Sequence, residues 1–70
     1  MSAVTVRLFE TWGQQIGGGI IFDDLDAAKA YAERRLGTGE PKRVASALIY
    51  QDGRQILSLN RSRQWQEARP

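Results

Sequence analysis

Three aspartates fall within four positions, Asp23, Asp24 and Asp26, and oxygen ligands of that kind suit a hard cation such as magnesium. The same three sit where a helix begins. Capping of the first free amides, with negative charge at the positive end of the helix dipole, accounts for all of them. A glycosidase-like carboxylate pair would need Glu10 or Glu40 to fold beside them, and nothing in the spacing demands it. Gly17-Gly18-Gly19 invites a phosphate-cradling reading, but such loops open directly onto a helix, and here two apolar residues intervene. A bulge or a bent strand start is the plainer expectation. The chain has no Cys and no His, which removes thiolate nucleophiles, imidazole bases, disulfides and the usual zinc or haem ligands together. Serine and threonine therefore lack a histidine partner, and Lys29 and Lys42 lie in no apolar run that would activate them. These residues point to a protein that is not an enzyme and holds no cofactor and no metal.

Binding chemistry is better represented. Arg61, Arg63 and Trp65 alternate, and Lys42, Arg43 and Arg54 belong to the same hairpin. Arginine contacts phosphates and tryptophan stacks on bases, so this segment could meet nucleic acid. Equally, Trp65 could close the bottom of a small core with the arginines in water, since aromatic side chains usually bury much of their area. The charge is uneven along the chain. Residues 1–41 set four cations against six carboxylates, a net of −2, whereas residues 42–70 set six cations against two carboxylates, a net of +4. The basic part suits a partner that carries phosphates or an acidic surface, although arginines on exposed strands commonly serve only solvation.

The elements that must position these residues are legible from periodicity. Val4, Val6 and Leu8 alternate with Thr5, Arg7 and Phe9, which predicts a strand over about 3–12 with an aliphatic face. Gln14 lies in a turn, and a second strand over about 16–22 puts Ile16, Gly18, Ile20 and Phe22 on one face. A helix over about 24–36 follows. Asp23 or Asp24 caps it, and Leu25, Ala28, Ala32 and Leu36 form its narrow apolar stripe with Tyr31 on the flank. Asp26/Lys29 and Lys29/Glu33 can pair on its wet side, Arg34 and Arg35 suit its last turn, and Gly37 ends it. Pro41 closes the loop that follows.

Asp52-Gly53 between two alternating runs is a two-residue hairpin turn, giving strands over about 43–51 and 54–61. The turn fixes a register of Gln51/Arg54, Tyr50/Gln55, Ile49/Ile56, Leu48/Leu57, Ala47/Ser58 and Ser46/Leu59. Val44, Leu48, Tyr50, Leu57 and Leu59 are assigned to the helix-covered face. Ala45, Ala47, Ile49, Ile56, Ser58 and Asn60 go to the other. Arg61 to Trp65 continues the last strand before fraying at Pro70. The fold class is α+β, an antiparallel four-stranded sheet in the order strand, strand, helix, strand, strand, with one helix on one face. Seventy residues make one domain, 1–70, and so short a chain has few apolar residues to spare from its core.

The helix leaves one sheet face open, where Ile49 and Ile56 would form an apolar centre beside Arg7, Phe9 and Thr11. That mixture suits a protein partner or a homodimer. No run is long or apolar enough for a signal peptide or a bilayer span, so a cytoplasmic protein with no membrane partner is expected.

Two resemblances attach to these features. Phe22-Asp23-Asp24-Leu25-Asp26-Ala27-Ala28-Lys29-Ala30-Tyr31-Ala32, with Tyr50-Gln51-Asp52-Gly53-Arg54 after it, resembles small bacterial domains of unknown function. The whole layout, with strands from Val4 to Phe22, Ala28-Lys29 in a helix, an Asp52-Gly53 hairpin and Trp65 near the end, is similar to small phage-encoded anti-CRISPR proteins. This second resemblance implies an inhibitor that binds the repeated backbone subunit of a type I CRISPR surveillance complex in the host cytosol and blocks target DNA. The basic balance argues against mimicry of DNA and fits occlusion of a groove with an accessory DNA or RNA contact. No contact residue carries over by motif. The surface argument alone selects Arg43, Arg54, Arg61 and Arg63 with Ile49, Ile56 and Trp65. The alternatives are a nucleic-acid-binding domain that uses the basic hairpin, and a homodimer across the open face.

Overall fold

The computed structural model describes residues 3–39 and 43–68; Glu40, Pro41, Lys42 and Pro70, named above, lie outside them. The chain folds as α+β, with one helix and a five-stranded antiparallel sheet. The elements are β1 (Val4–Glu10), β2 (Gln15–Phe22), α1 (Leu25–Arg35), β3 (Val44–Gln51), β4 (Arg54–Leu59) and β5 (Trp65–Glu67). In space the strands run β2-β1-β3-β4-β5. Four strands were expected. The fifth arises because the chain reverses after β4 instead of continuing it, so that Trp65 returns opposite Leu59 and Glu67 opposite Leu57.

Alternation in β1 places Val4, Val6 and Leu8 under the helix, all buried, and leaves Thr5, Arg7 and Phe9 on the open face. The helix covers them at close range because its buried positions are Ala28 and Ala32. Asp24 is its N-cap, its Oδ1 accepting the Asp26 amide proton at 3.3 Å. Leu36 is buried at the helix end, whereas Leu25 is 37% exposed and stays outside the buried core. Tyr31 packs on Phe22 with ring centroids 5.2 Å apart. Lys29 lies over the Trp65 ring, 5.4 Å from its centroid, in place of the expected pairing with Asp26 or Glu33.

The glycine triplet is a bulge. Val6 faces Ile20 and Leu8 faces Ile16, so Gly17, Gly18 and Gly19 together oppose Arg7 alone. Gly19 passes so close to β1 that a Cβ there would stand 2.7 Å from Thr5 Cγ2. β2 is an edge strand of eight residues without a charge.

The Asp52-Gly53 turn forms as expected, with both residues at positive φ and with Gln51 opposite Arg54 and Tyr50 opposite Gln55. Beyond that the register departs from the expectation. Ile56 is an extra residue in β4, so Ile49 faces Leu57, Leu48 faces Ser58 and Ala47 faces Leu59. A second bulge skips Ala45, since Phe9 faces Ser46 and Glu10 faces Val44. Each one-residue slip turns the side chains of a strand over. The helix-covered face therefore carries Val44, Ala47, Ile49, Leu57 and Leu59, and Leu48 and Tyr50 stand on the open face. Ile49 is 0% exposed. Its assignment to the open face is corrected, and Ile56 packs against the core from its bulge.

Candidate anion-binding end of the sheet

β1 and β4 both run antiparallel to β3, so their C-terminal ends lie at the same end of the sheet. Each continues into a turn of the same build. In the first, the Glu10 amide donates to the Gln14 carbonyl (2.9 Å) and Gly13 donates to the Glu10 carbonyl (3.0 Å). In the second, Asn60 donates to Gln64 (3.1 Å) and Arg63 donates to Asn60 (3.0 Å). Side chains complete both turns. Glu10 Oε1 accepts the amides of Trp12 (2.9 Å) and Gln14 (3.4 Å), and Asn60 Oδ1 accepts those of Ser62 (2.9 Å) and Gln64 (3.1 Å). The helix ends here too, for Gly37 donates to the Val44 carbonyl at the start of β3 (2.8 Å).

Three arginines converge on this end. Arg61 Nη2 donates to the Thr11 carbonyl at 3.1 Å, tying the tip of the second turn to the first. Arg63 Nη1 donates to the Glu33 carbonyl in the last turn of α1 at 3.2 Å. Arg43 precedes β3 and, with Arg61, Arg63, Thr11, Leu36 and Ala45, lines a cleft of about 240 Å³. Because Arg61 and Arg63 donate to carbonyls, their hydrogen bonds leave both charges unneutralised. Among the described residues none of the three forms an ion pair with a carboxylate. The Glu10 carboxylate lies in the same region, held inward by the amides of its own turn.

Two features make the site uncommon. Arg63 has φ +62°, a left-handed conformation that costs a side-chain-bearing residue roughly 1–2 kcal/mol. Trp12, at the tip of the first turn, is 88% exposed. The strand expected over about 3–12 runs through Trp12; β1 ends at Glu10, and the three-residue turn puts Trp12 on a tip.

Compared with known proteins, the chain matches no family model, no curated protein and no solved structure.

The other residues selected from sequence are distributed elsewhere. Arg54 starts β4 at the opposite end, where it lines a groove of about 570 Å³ with Leu25, Gln55, Ile56, Asp52 and Glu67. Its neighbours there carry the opposite charge. Ile49 is in the core, and Trp65 is half-buried against it, with no hydrogen-bond partner for its Nε1. The open face presents Phe9, Leu48 and Tyr50, with Arg7 over the Tyr50 ring at 5.4 Å and its Nη1 donating to Gln15 Oε1 at 3.2 Å. Asp23 and Asp26 are exposed in the approach to α1 and its first turn. No helix among the described residues is long and apolar enough to cross a membrane.

Proposed function

We propose that the chain is a non-enzymatic binding module whose working surface is the arginine end of the sheet and whose partner presents phosphates, as a nucleic acid or a nucleoprotein groove does. The observation that carries this reading is Arg63 held at φ +62° at the position Gly13 occupies in the matching turn. A residue kept in a strained conformation at an exposed tip, its guanidinium beside two others, is better accounted for by a ligand than by stability. Arginine is also the side chain whose fork matches phosphate oxygens. The test is anisotropy of labelled nucleic acid at rising salt with the intact protein and with an Arg61→Ala/Arg63→Ala variant. Binding that weakens steeply with salt and drops in the variant supports the reading, and binding indifferent to both sinks it.

A second reading is favoured by the open face, where Phe9, Leu48 and Tyr50 are half-buried and Ile21 is 69% exposed on the adjacent edge strand. A mixed apolar and aromatic patch of that kind fits a protein partner. In the form implied by the anti-CRISPR resemblance, that partner is the backbone subunit of a type I surveillance complex, with the arginine end reaching its nucleic acid. A mobility-shift assay of target DNA with purified complex, with and without the protein, decides it. Loss of the shifted complex with a clean protein-plus-DNA lane supports inhibition, and an unaffected shift rules it out.

A further inference from the structure

An exposed indole on the turn that Arg61 ties down narrows the ligand. We infer that the arginine end binds single-stranded nucleic acid, with one unpaired base stacked on Trp12 and the phosphates of neighbouring nucleotides taken by Arg61, Arg63 and Arg43; this rests on the phosphate reading of the same site. The turn fixes the backbone that carries Trp12 before any ligand arrives. Its amide is held by Glu10 Oε1 at 2.9 Å, Gly13 after it closes the turn at φ +91°, and the Thr11 carbonyl before it is held by Arg61 at 3.1 Å. One short turn thus carries an exposed indole one residue from the carbonyl that orients the Arg61 guanidinium. The backbone and Arg61 therefore need little ordering on binding.

The geometry distinguishes single strands from duplexes. In a duplex the base faces are stacked on one another and only their edges reach the grooves, so a tryptophan on a blunt turn meets no face to cover. An unpaired strand offers every base face, and stacking on an aromatic side chain is tolerant of sequence. An apolar protein hot spot is the less fitting occupant, because the cleft that begins at Thr11, next to Trp12, carries three arginines.

The experiment uses the full chain with fluorescein-labelled dT15, U15 and a 15-base-pair duplex, read by anisotropy. A Trp65→Phe background lets indole emission report on Trp12 alone. The expected result is binding to dT15 or U15 about tenfold tighter than to the duplex, with quenching of Trp12 emission. Replacing Trp12 with Ala lowers single-strand affinity about tenfold and leaves duplex affinity unchanged. Three arginines on a single strand give a slope of log K against log salt of about −2. Equal affinity for strand and duplex with a silent Trp12→Ala overturns this inference while the phosphate reading stands. Failure to bind any of the three overturns both.

Discussion

Glu10 and Asn60 are structural counterparts: each accepts, through one side-chain oxygen, the amide protons of the residues two and four positions after it, and so shapes the turn it opens at their shared end of the sheet. The two turns then differ at one place. Where the first has Gly13 at φ +91°, the second has Arg63 at φ +62°. Stability alone would put glycine, or asparagine, at both.

Replacing Arg63 with Gly separates stability from binding. Relief of the left-handed strain, roughly 1–2 kcal/mol, outweighs the roughly 0.5–1 kcal/mol of extra chain entropy that glycine brings to the unfolded state. The variant is expected to be more stable by about 0.5–1 kcal/mol in urea titration and to bind nucleic acid more weakly. Gly13→Ala is expected to lose about 1 kcal/mol by the same argument in reverse. A less stable Arg63→Gly protein would show that the Arg63 to Glu33 contact is worth more than the strain.

Gly19 is constrained by Thr5. A Val at position 19 would place its Cβ 2.7 Å from Thr5 Cγ2, so Gly19→Val is expected to destabilise by about 1–3 kcal/mol. Thr5→Ala removes the offending methyl and should restore part of that loss, giving a coupling above about 0.5 kcal/mol in a double-mutant cycle. Additive losses would mean that the strand moves as a whole to make room.

Ile49 and Ile21 have opposite fates despite identical chemistry. Ile49 is 0% exposed and Ile21 is 69% exposed. Ile49→Ala should cost about 2–5 kcal/mol by thermal or urea melting, a large share of the stability of so small a domain. Ile21→Ala should stay within about 0.5 kcal/mol. Comparable losses at both sites would contradict the register of β3.

Trp65 buries an Nε1 without a partner. An unsatisfied buried donor costs roughly 1–3 kcal/mol, and Phe removes it at the price of some packed area and of the stacking with Lys29. Trp65→Phe should therefore be close to neutral, within about 1 kcal/mol, whereas Trp65→Ala should lose about 3 kcal/mol or more. A steep loss in the Phe variant would mean that the indole nitrogen is satisfied in solution.

The regular parts of this fold are written in local patterns, and its bulges are not. Alternation located β1 and its buried face, the aspartate cap and alanine stripe located α1, and Asp52-Gly53 located the turn. Leu48-Ile49 and Ile56-Leu57, by contrast, are apolar in both phases, so alternation could not say which of each pair faces inward. The single extra residue at Ile56 decided it, and Ala45 reset the phase again toward Val44. The arginine end was half legible. Arg61 and Arg63 stand in one basic run, Arg43 begins the same hairpin, and the Asp52-Gly53 turn already sets Arg54 at the other end, but the return of β5 and Trp12 on its turn depend on where the chain reverses.

The glycine bulge in β2 bears on how the chain survives its own synthesis. β1 and β2 leave the ribosome before β3, which will cover the other side of β1 and begins only at Val44. At about 5–20 residues per second the first hairpin waits for on the order of one to four seconds with both of its edges uncovered. An eight-residue strand without a charge would in that interval offer a straight template to any neighbouring nascent chain. Three residues set against one break the run midway, so the same glycines that let β2 pass close to Thr5 also shorten the stretch on which a wrong partner could align.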